Sequence, residues 1–304
     1  MEKNDSLGSD KQAFRWLGSP FTFLGLEEAL SSFEKARIVI VPVPYDGTTT
    51  YRSGTREGPR AILLASRELE RYDEESKTEV YKQGISTLEE IAVSVESPES
   101  MVNRVAEVGD WLFSAGKFPV LIGGEHLLSV GMIRAASVHF PHLTVLQLDA
   151  HADLRQTYQG SRYSNACVMR LVSELAQIVQ VGIRSLSREE AEFIDEQSIS
   201  CFYAHDLKQN SDLWEQILEQ LGDHVYVTID LDVFDPSIMP AVGTPEPGGL
   251  NWEQVTGLLK EVAKRSNIVG FDVMELSPVP SMVFPDFLAA RLIYKFLSYI
   301  FMDS

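Results

Sequence analysis

Three stretches of this sequence each deliver cation-binding side chains at the end of an apolar run. Leu143-Thr144-Val145-Leu146-Gln147 leads into Leu148-Asp149-Ala150-His151-Ala152-Asp153, and Val225-Tyr226-Val227-Thr228-Ile229 ends in Asp230-Leu231-Asp232. Phe118-Pro119-Val120-Leu121-Ile122 leads into Gly123-Gly124-Glu125-His126. If each run is a buried strand whose extended geometry continues through its end, the period of two turns Asp149, His151 and Asp153 to one side, and likewise Asp230 and Asp232. Carboxylates and imidazoles converging in this number are too many for one octahedral ion that keeps its water, and suit two ions sharing bridging carboxylates.

Such a site needs strands that end on a common edge. In an open parallel sheet, ligands bind outside the carboxyl ends of the strands, so three donor-bearing ends fit an α/β architecture. The rest of the chain alternates in the same way. Arg37-Ile38-Val39-Ile40-Val41 reads as a strand stopped by Pro42 and Pro44, followed by a Gly- and Thr-rich loop through Thr50 that can line a pocket. Ser97-Pro98-Glu99 supplies an N-cap, a first-turn proline and a well-placed acid for a helix that Gly116 stops. Asn251 with Gln254 forms a capping box for a helix to about Lys264. Ile268 to Val273 is a strand leading to Met274-Glu275-Leu276-Ser277-Pro278, and an apolar-faced helix from about Pro285 to Phe301 closes the chain. Residues 1–35 read as an N-terminal arm with a short helix near Leu26 to Phe33, and residues 36–304 as a single catalytic domain.

The 304 residues are 44% hydrophobic and carry a net charge of −18. That balance excludes a nucleic-acid surface, which needs clustered Lys and Arg, and favours small cations as partners. The two cysteines, Cys167 and Cys201, are far apart and imply no disulfide framework, so a reducing cytoplasm is expected. No signal peptide is read at the start, and no apolar stretch approaches the roughly 18 residues of a membrane span.

Together, Gly123-Gly124-Glu125-His126, Asp149-Ala150-His151-Ala152-Asp153, Asp230-Leu231-Asp232-Val233-Phe234-Asp235-Pro236 and Asp272-Val273-Met274-Glu275-Leu276-Ser277-Pro278 strongly resemble the arginase/agmatinase (ureohydrolase) family. Tyr45-Asp46-Gly47-Thr48-Thr49-Thr50-Tyr51-Arg52-Ser53-Gly54-Thr55-Arg56 and Gly243-Thr244-Pro245-Glu246-Pro247-Gly248-Gly249 resemble its agmatinase branch. The resemblance runs from about Pro44 to the C-terminal helix. It implies a three-layer α/β/α domain with a mostly parallel eight-stranded sheet, two Mn²⁺ ions per subunit, and a homo-oligomer, trimer or hexamer. By the same analogy His126, Asp149, Asp153 and Asp230 hold one ion and Asp149, His151, Asp230 and Asp232 the other. Asp153 then steers the hydroxide and carries its proton to the leaving amine, and Glu275 pairs with the guanidinium. The implied reaction is hydrolysis of a guanidino group to urea and an amine, agmatine to putrescine first, within polyamine biosynthesis.

One position departs from the family pattern. Where a histidine proton shuttle is usual, this chain reads Tyr163-Ser164-Asn165-Ala166-Cys167, and Asn165 can donate hydrogen bonds but does not titrate near neutrality. The expectation is that Asn165 and Tyr158 of the loop from Leu154 to Asn165 contact substrate. Guanidinobutyrate, aminopropylagmatine and free guanidine stand as alternative substrates, and a metal-binding relative with weak or no catalysis as an alternative role. A rival chemistry uses Cys167 as nucleophile with His151 as its partner and needs no metal.

Overall fold

The computed structural model describes residues 18–302. Among these residues eight strands, β1 (Ile38–Val43), β2 (Ile85–Thr87), β3 (Phe118–Gly123), β4 (Thr144–Leu148), β5 (Gln177–Ile183), β6 (Ser200–Tyr203), β7 (His224–Asp230) and β8 (Asn267–Met274), form one sheet in the order β2-β1-β3-β8-β7-β4-β5-β6. Every pairing is parallel, so the sheet is wholly and not just mostly so. A parallel sheet needs crossover helices on its faces, which explains why strands such as β1 read as unbroken apolar runs.

Those helices are α1 (Glu28–Ser31), α2 (Gly58–Ser66), α3 (Pro98–Ser114), α4 (Ser129–His139), α5 (Val168–Val172), α6 (Arg188–Gln197), α7 (Ala204–Leu207), α8 (Asp212–Glu219), α9 (Trp252–Arg265) and α10 (Phe284–Ile300). Alternate strand residues feed two cores. Ile38, Ile40, Val120, Ile122, Leu146 and Leu148 pack with α2, α8, α9 and α10 on one face. Val39, Val41, Leu121 and Val145 pack with α3, α4, α5 and α6 on the other, which completes three layers.

Local signals account for several boundaries. Ser97 caps α3 by accepting from Ser100 N with its side chain and donating its own backbone N–H to Ser100 Oγ, and Asn251 and Gln254 do the same for α9. Of the expected arm, residues 18–35 are anchored in the structure: Phe23, Leu24 and Leu26 are buried in the α2-side core, and the helix there is the single turn Glu28–Ser31. Residues 1–17 of that arm lie outside the described residues.

The donor-bearing strands are neighbours. β3, β8, β7 and β4 lie side by side at the centre of the sheet, so their carboxyl ends open on one crevice. Gly124 is required where the chain leaves β3, because a Cβ there would collide with the carbonyl of Tyr45.

Candidate metal and substrate site

Asp149, His151 and Asp153 meet the other donors, but not through strand geometry. β4 ends at Leu148, and Asp149 Oδ1 accepts from the His151 backbone N–H at 2.6 Å. β7 ends at Asp230, whose Oδ1 accepts from Asp232 N at 2.9 Å as the chain enters a 3₁₀ turn. Each pair is therefore set by an aspartate closing a turn on its own backbone, which corrects the expectation that the period of two aligns them. Asp153 follows with φ of 52°, left-handed backbone that aspartate tolerates better than most residues. Asp232 Oδ1 also accepts from Ala150 N at 3.0 Å, which locks the two turns together.

The donors converge around two foci. His126 Nδ1 lies 3.0 Å from Asp149 Oδ2, 3.4 Å from Asp153 Oδ2 and 3.4 Å from Asp230 Oδ2. His151 Nδ1 lies 2.9 Å from Asp232 Oδ2 and 3.6 Å from Asp149 Oδ1. His126, Asp149 and Asp153 form one group able to hold an ion and Asp149, His151 and Asp232 a second, with Asp149 in both.

The hydrogen bonds around His126 leave room for a cation here. Thr228 Oγ1 spends its only proton on buried Asp272 Oδ1 at 2.6 Å, so at 2.8 Å from His126 Nε2 it accepts the imidazole proton. In the neutral ring His126 Nδ1 then carries a lone pair; it is buried without a hydrogen-bond partner and faces three carboxylates, which raise the His126 pKa well above its ordinary value unless an ion takes the place of the proton. A lone pair facing acceptor oxygens is what a metal ligand requires, and the Asp272–Thr228–His126 chain is the outer support that orients such a ligand. Gln147 Nε2 supports Asp149 Oδ2 in the same way at 2.7 Å.

The electrostatics agree. Burial, reinforced by Asp232 and Asp149, raises Asp230 well above the usual carboxylate range. Burial and the charge of Asp149 push Asp153 up to about 7. Burial opposes the charge on Asp149 as well, but contacts to His126 and His151 outweigh it and hold that group low. Divalent cations among these oxygens would stabilise the ionised forms that burial disfavours.

Above the donors lies a cavity of about 200 Å³ lined by Thr50, His126, His151, Asp153, Arg155, Tyr158, Asn165, Ala166, Asp230, Thr244 and Glu275. Asp149 and Asp232 sit deeper. Glu275 is buried and adopts φ of 68°, a conformation glutamate rarely takes and one that places the carboxylate across the site. Its Oε1 accepts from His126 N at 2.8 Å, and burial together with the charge on Glu125 pushes its pKa up to about 8.

Sequence reasoning missed Arg155, which extends over the Tyr158 ring 5.3 Å from its centroid. Arg162, in the same loop, instead pairs with Glu174 at the surface. The only early sign for Arg155 was its position two residues after Asp153. It also missed Arg184, whose Nη2 donates to the carbonyls of Asp232 at 2.6 Å and Glu246 at 2.8 Å, tying the Thr244-bearing loop to the second focus. Burial and the charges of Asp153 and Glu190 push the Cys167 thiol up to about 11, the reverse of what a cysteine nucleophile requires.

A family model described as the Arginase family matches residues 36–298. The N(1)-aminopropylagmatine ureohydrolase of Synechocystis is 40% identical over 94% of this chain and 95% of its own length. That of Thermus thermophilus is 38% identical over 86% of this chain and 89% of its own. Among solved structures, the agmatine ureohydrolase of Thermoplasma volcanium superposes with a TM-score of 0.86 at 32% identity, covering 97% of this chain and 98% of that one. With its sheet, crevice and donor cluster in agreement, the chain belongs to the arginase family, whose ureohydrolases are metal-dependent hydrolases of guanidino compounds.

Proposed function

We propose that this protein holds two Mn²⁺ ions and hydrolyses a linear guanidine with an amine-bearing aliphatic tail to urea and the free polyamine. N1-aminopropylagmatine, which would give spermidine, comes first, because the relatives at 40% and 38% identity carry that name. Agmatine, which would give putrescine, is the second reading, favoured by the motif at residues 45–56 and by the likeness to the Thermoplasma volcanium protein. The observation that carries the proposal is the unpartnered, inward-facing Nδ1 of His126 among three carboxylates, in the same cavity as Glu275.

His126, Asp149, Asp153 and Asp230 would hold one ion, and Asp149, His151, Asp230 and Asp232 the other. The carboxylate-rich shell with two imidazoles suits Mn²⁺. When bound, the ion pair makes hydroxide available near neutral pH by lowering the pKa of water. The remaining work falls to the protein. Glu275, with one oxygen anchored to His126 N, offers its other oxygen to a guanidinium N–H and holds the planar carbon for attack. Asp153, which lines the cavity beside His126, has the position to accept the proton of the attacking oxygen and pass it to the departing amine. Tyr158 and Thr244 border the route of the tail.

We place the protein in the cytoplasm as a trimer or hexamer. Val283 and Phe284, 75% and 56% exposed at the start of α10, suit a surface covered by another copy. Urea release from N1-aminopropylagmatine, agmatine, guanidinobutyrate, guanidine and arginine, with Mn²⁺ supplied, tests the reading. Turnover of an amine-tailed guanidine is expected, and no release from any of the panel overturns it.

A further inference from the structure

Glu125 lies beside the donor cluster, is fully buried, and has no part in the chemistry described so far. Both its oxygens grip one residue of the loop between β1 and α2: Oε2 accepts from Thr48 N at 2.6 Å and Oε1 from Thr48 Oγ1 at 2.7 Å. A hydroxyl has one proton, and Glu125 takes it. The lone pairs of Thr48 Oγ1 are therefore left to accept, and they receive the backbone N–H of Asn165 at 3.0 Å. The loop around Thr48 is pinned independently, since Asp46 pairs with Arg56 and accepts from Gly54 N at 3.0 Å.

The Asn165 side chain is oriented in turn. Its Oδ1 accepts from Ala166 N at 3.0 Å and Ser164 Oγ at 3.2 Å, so the amide nitrogen is the group left to the cavity that Asn165 lines. We infer that Glu125 and Thr48 are positioning residues that act through Asn165, and that Asn165 serves the reaction as a fixed N–H donor and not as a proton carrier. The inference rests on the ureohydrolase reading above. A guanidinium offers such a donor nothing, because its nitrogen lone pairs are delocalised. When hydroxide adds to the carbon, the leaving nitrogen becomes pyramidal and regains one lone pair; the Asn165 N–H can bond to it as the addition proceeds, and is then displaced from that lone pair by the proton from Asp153 that breaks the C–N bond. A contact made only after the carbon turns tetrahedral raises kcat and leaves KM nearly unchanged.

The test compares Thr48→Val, Thr48→Ser, Asn165→Ala and the Thr48→Val/Asn165→Ala pair in the Mn²⁺-loaded enzyme. Thr48→Val is expected to lower kcat about a hundredfold with KM within about threefold and metal content unchanged. Thr48→Ser keeps the hydroxyl and should restore kcat, and the double variant should be no slower than Asn165→Ala, since both changes remove one interaction. Independently of activity, amide hydrogen exchange in the peptide containing Asn165 should quicken in Thr48→Val and not in Thr48→Ser. Losses that multiply, a Thr48→Val enzyme as fast as the parent, or unchanged exchange at Asn165 would each overturn the inference. If the parent hydrolyses no guanidine, the functional reading fails, and hydrogen exchange still decides whether the tether exists.

Discussion

Asp149 is the residue that the two donor groups share. One oxygen closes the turn to His151, and the other meets Gln147 and the ring of His126. Asp149→Asn should therefore lower the metal content at both positions, read by elemental analysis after dialysis against Mn²⁺. Retention of two ions per chain would refute the shared role. Glu275→Gln makes the opposite separation: metal content holds while kcat/KM falls by about 10²–10³, because a neutral amide loses the charged partner of the guanidinium. Of these residues, the donor types and their i, i+2 spacing were legible in the chain. What was not legible is that left-handed backbone at Asp153 and Glu275 aims their carboxylates, since such conformations persist only when the surrounding structure imposes them.

Elements were legible wherever a local chemical signal marked them. The cap at Ser97 and the box at Asn251–Gln254 start α3 and α9 where the spacing predicts, because a cap is a contact between residues three apart. Ser97→Ala should cost about 1 kcal/mol, seen as a lower urea midpoint with unchanged activity. The anchoring of α10 was not legible. Lys295, on that helix and nearly buried, lies 3.0 Å from Asp73 and 3.1 Å from both Glu74 and Glu75. Lys295→Met leaves the buried Asp73 with only the more distant Arg291, 3.8 Å away, and should cost up to about 3 kcal/mol by denaturant unfolding. The pH dependence follows from the same contacts. Bonds from Lys260, Tyr299 and Lys295 hold Glu75 down to about 2, against 4.5 for a free glutamate. Because the folded form has the lower pKa, this stabilisation is complete above about 4.5 and is lost as pH falls towards 2. The stability gap between parent and Lys295→Met should accordingly narrow over that range, and a gap constant with pH would refute the ionic origin.

For the whole molecule, the site concentrates buried negative charge at the centre of the sheet edge, where β3, β8, β7 and β4 end together. Cations that bind there and not to the unfolded chain must stabilise the fold. Mn²⁺ at about a hundred times its Kd should add about 2.7 kcal/mol per independent site relative to chelator-treated protein, measured by thermal or denaturant unfolding. No metal-dependent change in stability would mean the donors do not hold an ion in the native state. No helix among the described residues is long and apolar enough to cross a membrane, and a net charge of −18 favours the approach of cations from solution.

The chain by itself determined which side chains sit at strand ends, the α/β layering that follows from apolar runs alternating with amphipathic ones, and the helix starts written into local caps. Interactions between residues close in sequence carry all three. Only the tertiary structure decided that turns and not strand pleats bring the carboxylates together, that Arg155 and not Arg162 borders the cavity, and that Glu125 reaches Asn165 through Thr48. The bond between the two turns joins residues 82 positions apart and the Glu125–Thr48–Asn165 chain residues 77 and 117 apart, and both depend on the order and register in which parallel strands pack, which no local pattern encodes.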